Sequence, residues 1–152
     1  MLPFRSQPLA PRPREGYRLL PGGLPSPEAL NRLLLANGDQ PRSNDRWQRV
    51  LERSFWNLGV ESPGGELVGF VRVTSDLALN ANLWDLYADP GDPHQGEILA
   101  LLVHGALGHL RRVLGGCSIS LSAPPEAINA LERYGFAMDP GGIRAMGLRL
   151  QP

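Results

Sequence analysis

One stretch limits the possible folds more than any other. A short β-prone run, Leu83 to Ala88, meets the stiff turn Asp89-Pro90-Gly91-Asp92-Pro93 and passes into a long helical stripe. Leu99, Leu102, Val103, Ala106, Leu110 and Val113 recur at three- and four-residue spacing, which predicts a helix over about Gln95 to Leu114. His104, His109, Arg111 and Arg112 fall mostly off that stripe, and Gly115-Gly116 closes it as a C-terminal cap does. Ser118-Ile119-Ser120-Leu121 then reads as another strand. Strand, tight turn, helix and strand in that order are the signature of an α/β sheet.

The flanking segments add strands and helices to this unit. Tyr17-Arg18-Leu19-Leu20 reads as a short strand closed by Pro21-Gly22-Gly23. Ser26 as N-cap, Pro27 at the first helical position and Glu28 in the first turn predict a helix through Leu30, Leu33, Leu34 and Leu35, ending near Asn37-Gly38. Asn44 or Ser43 caps a second short helix with Trp47, Val50 and Leu51 on one side. Phe55 to Glu61 and Leu67 to Thr74, joined by Ser62-Pro63-Gly64-Gly65, predict an antiparallel hairpin. Past the crossover, Ala127 to Tyr134 reads as a helix stopped at Gly135. Phe136 to Met138 and Met146 to Leu150 read as final strands around the Asp139-Pro140-Gly141-Gly142 turn.

With 152 residues, the chain has room for one domain, placed here at 17–152. Residues 1–16 hold four prolines with Arg5, Arg12 and Arg14, a composition that buries too little to fold alone, and read as a flexible arm. Basic and acidic side chains balance at fifteen each, so no global field holds the protein on nucleic acid or an anionic membrane. Every basic residue is arginine, which excludes a lysine nucleophile. A single cysteine, Cys117, excludes an internal disulfide and a cysteine-based zinc site, and it reads as buried in an apolar strand. Met1-Leu2 followed by Pro3 and Arg5 leaves no apolar core for a secretory signal, and no apolar run reaches a membrane span, so the expected compartment is the cytoplasm.

Candidate chemistry gathers at the strand-to-helix junction. The N-terminus of a helix offers unpaired backbone N–H groups and a partial positive charge, which suits a phosphate or pyrophosphate near Pro93 to Ala100. Alternation along the preceding strand places Asp85 and Tyr87 on one face and Trp84 and Leu86 on the other, so a carboxylate and a phenol could act together as base and acid. The same two side chains fit a satisfied structural pair equally well. Asp76 and Asn80 to Asn82 sit in the turn entering this strand and are candidates either for holding a substrate or for turn chemistry. His94, His104 and His109 do not share a helix face as metal ligands would, and no metal site is expected.

Several of these stretches fall in one order: Val68-Gly69-Phe70-Val71-Arg72, Thr74-Ser75-Asp76, Asn80-Ala81-Asn82-Leu83-Trp84-Asp85-Leu86, Asp89-Pro90, Gln95-Gly96, Gly135-Phe136 and Asp139-Pro140-x-Gly142-Ile143. Over roughly Phe55 to Met146 the chain resembles the GNAT superfamily of acyl-CoA-dependent N-acetyltransferases, most closely the cyanobacterial and plastid branch that includes the plant serotonin N-acetyltransferases. The resemblance implies a mixed, mostly antiparallel sheet flanked by helices, with the fourth and fifth strands splayed apart. It also implies acetyl-CoA in the gap and direct attack of an amine on the thioester.

By the same resemblance the cofactor loop falls on Gln95, Gly96, Glu97, Ile98, Leu99 and Ala100, and backbone along Leu86, Tyr87 and Ala88 meets the pantetheine arm. Asp76, Asn80 and Asn82 are placed at the amine. Two positions depart from the pattern. Ile98 stands where the loop has its central glycine, and Leu131 stands where a tyrosine protonates the departing thiolate. Tyr134, one turn beyond Leu131, joins Asp85 and Tyr87 as an acid/base candidate. The expected function is acetyl transfer from acetyl-CoA to an amine by a monomer or homodimer, with no metal, nucleic acid or membrane partner. The alternative is a catalytically impaired module that binds a protein or small ligand.

Overall fold

The computed structural model describes residues 8–152. Nine regular elements follow in order: β1 (Arg18–Pro21), α1 (Pro27–Ala36), α2 (Asn44–Arg53), β2 (Trp56–Glu61), β3 (Leu67–Ser75), β4 (Asn80–Ala88), α3 (Gln95–Val113), β5 (Ser118–Ser120) and α4 (Ile128–Arg133). The strands form one sheet in the order β1-β2-β3-β4-β5, antiparallel throughout except for the parallel β4–β5 pair that α3 connects. A parallel pair needs such a crossover, which is why the longest helix lies between these two strands. The expected α/β class with a mixed sheet is what forms.

Each face of the sheet has its own core. Val71, Val73, Leu83 and Leu86 pack with Ile98, Leu102, Val103 and Ala106 of α3 and with Leu131 of α4. Phe70, one residue from Val71 and so on the opposite side, packs with Leu30, Leu33 and Leu34 of α1 and Trp47 of α2. Helix α1 starts where expected, with Ser26 accepting from the Ala29 N–H at 3.2 Å, and Ser43 caps α2 in the same way. Helix α3 comes very close to β3: a Cβ on Gly69 would lie 2.5 Å from Ile98 Cγ2 and 3.1 Å from Leu102 Cδ1. A glycine at that point lets the helix seat on the sheet.

The last two expected strands do not form. Residues 136–138 and 143–152 have no ladder partner, and Met146, Leu148 and Leu150 are 97%, 88% and 83% exposed. Apolar alternation needs an edge to pair with, and β5 offers three residues. Asp139 at φ +43°, with Gly141 and Gly142 also at positive φ, turns the chain across the end of the sheet instead. Of the arm expected at 1–16, residues 1–7 lie outside the described residues. Residues 8–16 run without regular structure over the start of α3.

Candidate active site

A break in β4 organises the site. Phe70 and Arg72 of β3 pair with Tyr87 and Trp84, so Asp85 and Leu86 together oppose Val71, and Asp85 takes φ +53° to accommodate the extra residue. The bulge shifts the alternation by one. Trp84 and Asp85 both reach Arg72, one with its ring 5.6 Å from the guanidinium and the other by an ion pair at 2.6 Å, while Leu86 joins Leu83 in the α3-side core. Trp84 therefore does not share a face with Leu86, as strict alternation had predicted. Asp85 and Tyr87 do share one, since both bond to the segment between α1 and α2.

The bulge lies beside a divergence. Pairing between β4 and β5 ends at Asn82 opposite Ser120, and Leu83–Ala88 run on with β3 as their partner. Among the described residues no strand pairs with their other edge, so its backbone groups, apart from the Ala88 carbonyl, can meet a ligand. A cavity of about 500 Å³ opens there, with Asn82, Leu83 and Trp84 on one wall, Leu131 and Glu132 of α4 on another, and Phe136, Met138, Ile143 and Met146 across its mouth. At the far end of β4, α3 begins without a side-chain cap; the Gln95 N–H donates to the Asp92 carbonyl, and among the described residues the Gly96 and Glu97 amides have no partner. Gln95 Nε2 donates to the Ala88 carbonyl at 3.4 Å and ties the helix start to the strand end.

Ile98 does not obstruct that helix start. Its N–H donates within the helix to the His94 carbonyl and its side chain, 1% exposed, points into the sheet against Gly69. The backbone there is ordinary helix, so no positive φ is demanded of a β-branched residue. Leu99 and Ala100 are buried beside it, whereas Gly96 and Glu97 face outward.

Each acid/base candidate has a defined environment. The two Asp85 oxygens accept from Arg42 at 2.7 and 2.9 Å and from Arg72 Nε at 2.6 Å. Burial pushes the Asp85 carboxyl up, but the Arg42 hydrogen bonds and the Arg72 charge outweigh it and hold the group below its ordinary range. A carboxylate held so is a weak base. Tyr87 Oη donates to Asp39 at 2.9 Å, and burial together with that bond pushes the phenol up to about 12. Tyr134 caps α4, half-buried, with its ring 5.5 Å from His104. Leu131 is 3% exposed.

The turn residues divide their roles. Asp76 Oδ1 accepts from the N–H groups of Ala78, Leu79 and Asn80 at 2.8 to 3.0 Å. Those backbone bonds lower its carboxyl to about 2. Asn80 lies opposite Ser118 in the ladder, and Asn82 accepts from the Ser120 hydroxyl at 2.9 Å while lining the cavity. Cys117 is half-buried just before β5, less enclosed than its apolar neighbours suggest. His109 stacks on Trp56 with ring centres 4.2 Å apart. Among the described residues, no group of three His, Cys, Asp or Glu side chains stands together as metal ligands would.

Sequence reasoning missed the group that fixes this face. Arg42 ion-pairs with Asp85 and lies 4.5 Å from the Trp47 ring centre; its backbone N–H donates to Asn31 Oδ1 and its carbonyl accepts from Asn31 Nδ2, while that Oδ1 also accepts from Trp47 Nε1 at 2.7 Å. Its partners sit 11 and 43 positions away, so no local spacing announces it.

No family model matches the chain. Among curated proteins it is 35% identical over 121 residues to serotonin N-acetyltransferase 2, chloroplastic, of Oryza sativa, with 78% of this chain and 60% of that protein covered. To GCN5-related N-acetyltransferase 2, chloroplastic, of Arabidopsis thaliana it is 38% identical over 88 residues, covering 58% of this chain and 33% of that one. The chain thus spans between a third and three fifths of the length of these relatives. A solved structure of a probable acetyltransferase from Staphylococcus aureus superposes with a TM-score of 0.77 at 16% identity, covering 88% of this chain and 99% of the other. Over part of their length the chain is thus similar in sequence to curated N-acetyltransferases, and its fold, with its bulged β4 parting from β5, is one that a solved probable acetyltransferase shares.

Proposed function

We propose that this chain transfers an acetyl group from acetyl-CoA to an amine. The observation that carries the reading is the unpaired edge of Leu83–Ala88, which opens toward the uncapped start of α3 on one side and the cavity beside Trp84 on the other. In this reading the backbone N–H groups of the first α3 turn, Gly96 and Glu97 foremost, hold the pyrophosphate. Leu86, Tyr87 and Ala88 pair with the pantetheine amides as an added strand would. A β4 N–H near the bulge donates to the thioester carbonyl as charge develops on it. The amine attacks from the cavity side, and its proton leaves to water.

By elimination we assign proton delivery to the thiolate to Tyr134, whose ring lies against His104 and lines neither cavity. Leu131 has no proton to give, Asp85 is neutralised by two guanidiniums, and the Tyr87 proton is committed to Asp39. The aromatic and aliphatic wall of Trp84, Phe136, Met138 and Ile143 suits an amine with an apolar body. The rice relative is named for one such amine, serotonin. We place the reaction in the cytoplasm, in keeping with a lone unpaired cysteine.

Calorimetric titration with acetyl-CoA tests the binding half: a micromolar Kd, about −8 kcal/mol, is expected, and no heat up to millimolar ligand would defeat the reading. Turnover with serotonin as the first amine tests the rest. A second reading, a module that binds without catalysis, is favoured by the buried Leu131 alone. Tyr134→Phe separates the two. An enzyme loses about 10²-fold in kcat at unchanged KM, whereas a module has no turnover to lose.

A further inference from the structure

Residues 8–16 cross the first turn of α3 and are tied to it. Arg14 donates from Nε and Nη2 to the two Glu97 oxygens at 2.7 and 2.8 Å. Tyr17 Oη donates to Asp92 at 3.0 Å. Gly16, at φ +83°, lies so near the β2–β3 turn that a Cβ on it would stand 2.8 Å from Pro63 Cγ. These three contacts hold the segment as a strap. Between the strap and α4 lies a second cavity of about 450 Å³, lined by Arg12, by Gly96 and Glu97 of α3, and by Glu126, Asn129 and Arg133 around α4.

The charges on this cavity are arranged for an anion. Glu97 is cancelled by Arg14, whose hydrogen bonds also hold its carboxyl below the ordinary range. That leaves two arginines against one carboxylate, Glu126. Among the described residues neither Arg12 nor Arg133 is in an ion pair. Backbone amides at the helix start serve a pyrophosphate, whereas a phosphate monoester with two charges is better met by guanidinium forks.

We infer that the strap is part of the acyl-CoA site, with Arg12 and Arg133 gripping the 3′-phosphate of the nucleotide while Arg14 cancels the Glu97 carboxylate that would repel it. The inference rests on the acetyl-CoA reading above and adds to it a segment that lies outside the sheet and its helices.

Calorimetry of the full chain with CoA and with dephospho-CoA, which lacks only that phosphate, tests it. Wild-type protein should prefer CoA. Arg12→Ala should weaken CoA about tenfold, the loss expected for a charge-assisted contact, and leave dephospho-CoA unchanged. Arg12 is exposed and makes no hydrogen bond among the described residues, so its removal does not threaten the fold. Arg14→Ala should weaken both ligands, and Arg14→Ala combined with Glu97→Gln should recover most of the loss, a rescue that a merely structural bridge would not give. CoA binding by Arg12→Ala at wild-type strength overturns the inference. So does tighter binding of both ligands, which would make the strap a competitor. In either case the acetyl-CoA reading stands, whereas wild-type protein that binds neither ligand removes both.

Discussion

Asp85 shows how one residue can set both a strand's geometry and a loop's position. Its φ of +53° makes the β4 bulge, and its carboxylate joins Arg72 on the neighbouring strand to Arg42 on the segment between α1 and α2. The carboxylate side chain is 7% exposed and the two arginine side chains 25% and 15%. Asp85→Asn leaves two partly buried guanidiniums without a counter-charge and should cost roughly 2–4 kcal/mol, read from urea unfolding at pH 7. Because the folded carboxyl sits below its unfolded value, its contribution is present above about pH 4 and is lost as pH falls through the folded value. The variant should therefore show a flatter stability profile below about pH 4 than the wild type. Tyr87 has the opposite sign. Its phenol is raised to about 12, so its contribution is intact below the usual value of 10.0 and disappears as pH climbs toward 12. Tyr87→Phe should remove that alkaline slope. The sequence showed that Asp85 and Tyr87 face the same way, but the long-range Arg42 and Asp39 bonds that decide their chemistry leave no mark in local spacing.

Among the elements, α3 was the most legible and β5 onward the least. The helix is announced by its stripe, the Asp-Pro turn before it and the glycines after it, and each is a local signal. Strand pairing is not local, so Met146, Leu148 and Leu150 carry the alternation of a strand and still find no edge to pair with. Ile98 departs from the cofactor-loop pattern, which has glycine there. Its place on the inward face of α3 makes it core, wedged over Gly69. Ile98→Gly should consequently not improve acetyl-CoA binding but lower stability by about 3–5 kcal/mol, through the lost side chain and the helix penalty of glycine. Gly69→Ala tests the same contact from the sheet side. Its methyl would stand 2.5 Å from Ile98 Cγ2, and the overpacking should cost about 1–3 kcal/mol in Tm-derived stability.

Across the whole molecule, the two cavities divide the proposed reaction between the start of α3 under the strap and the open end of the sheet beside Trp84, with α4 lining both. The cofactor side is built from β4, α3 and α4, seated on the α3-side core, and from the strap tied to the start of α3. The acceptor side closes over Trp84 with residues 136–146, which have no ladder partner and are largely exposed. Truncation after Gly142 removes Ile143, Arg144, Ala145 and Met146 from the acceptor wall and takes away none of the buried core residues. The shortened protein should unfold within about 0.5 kcal/mol of the full chain, as changes away from buried contacts do. Its calorimetric Kd for acetyl-CoA should be unchanged while KM for the amine rises severalfold, because apolar wall is lost from one site and not the other. A parallel fall in acetyl-CoA affinity would mean that residues 143–152 support the cofactor side as well, and that the two cavities are one site.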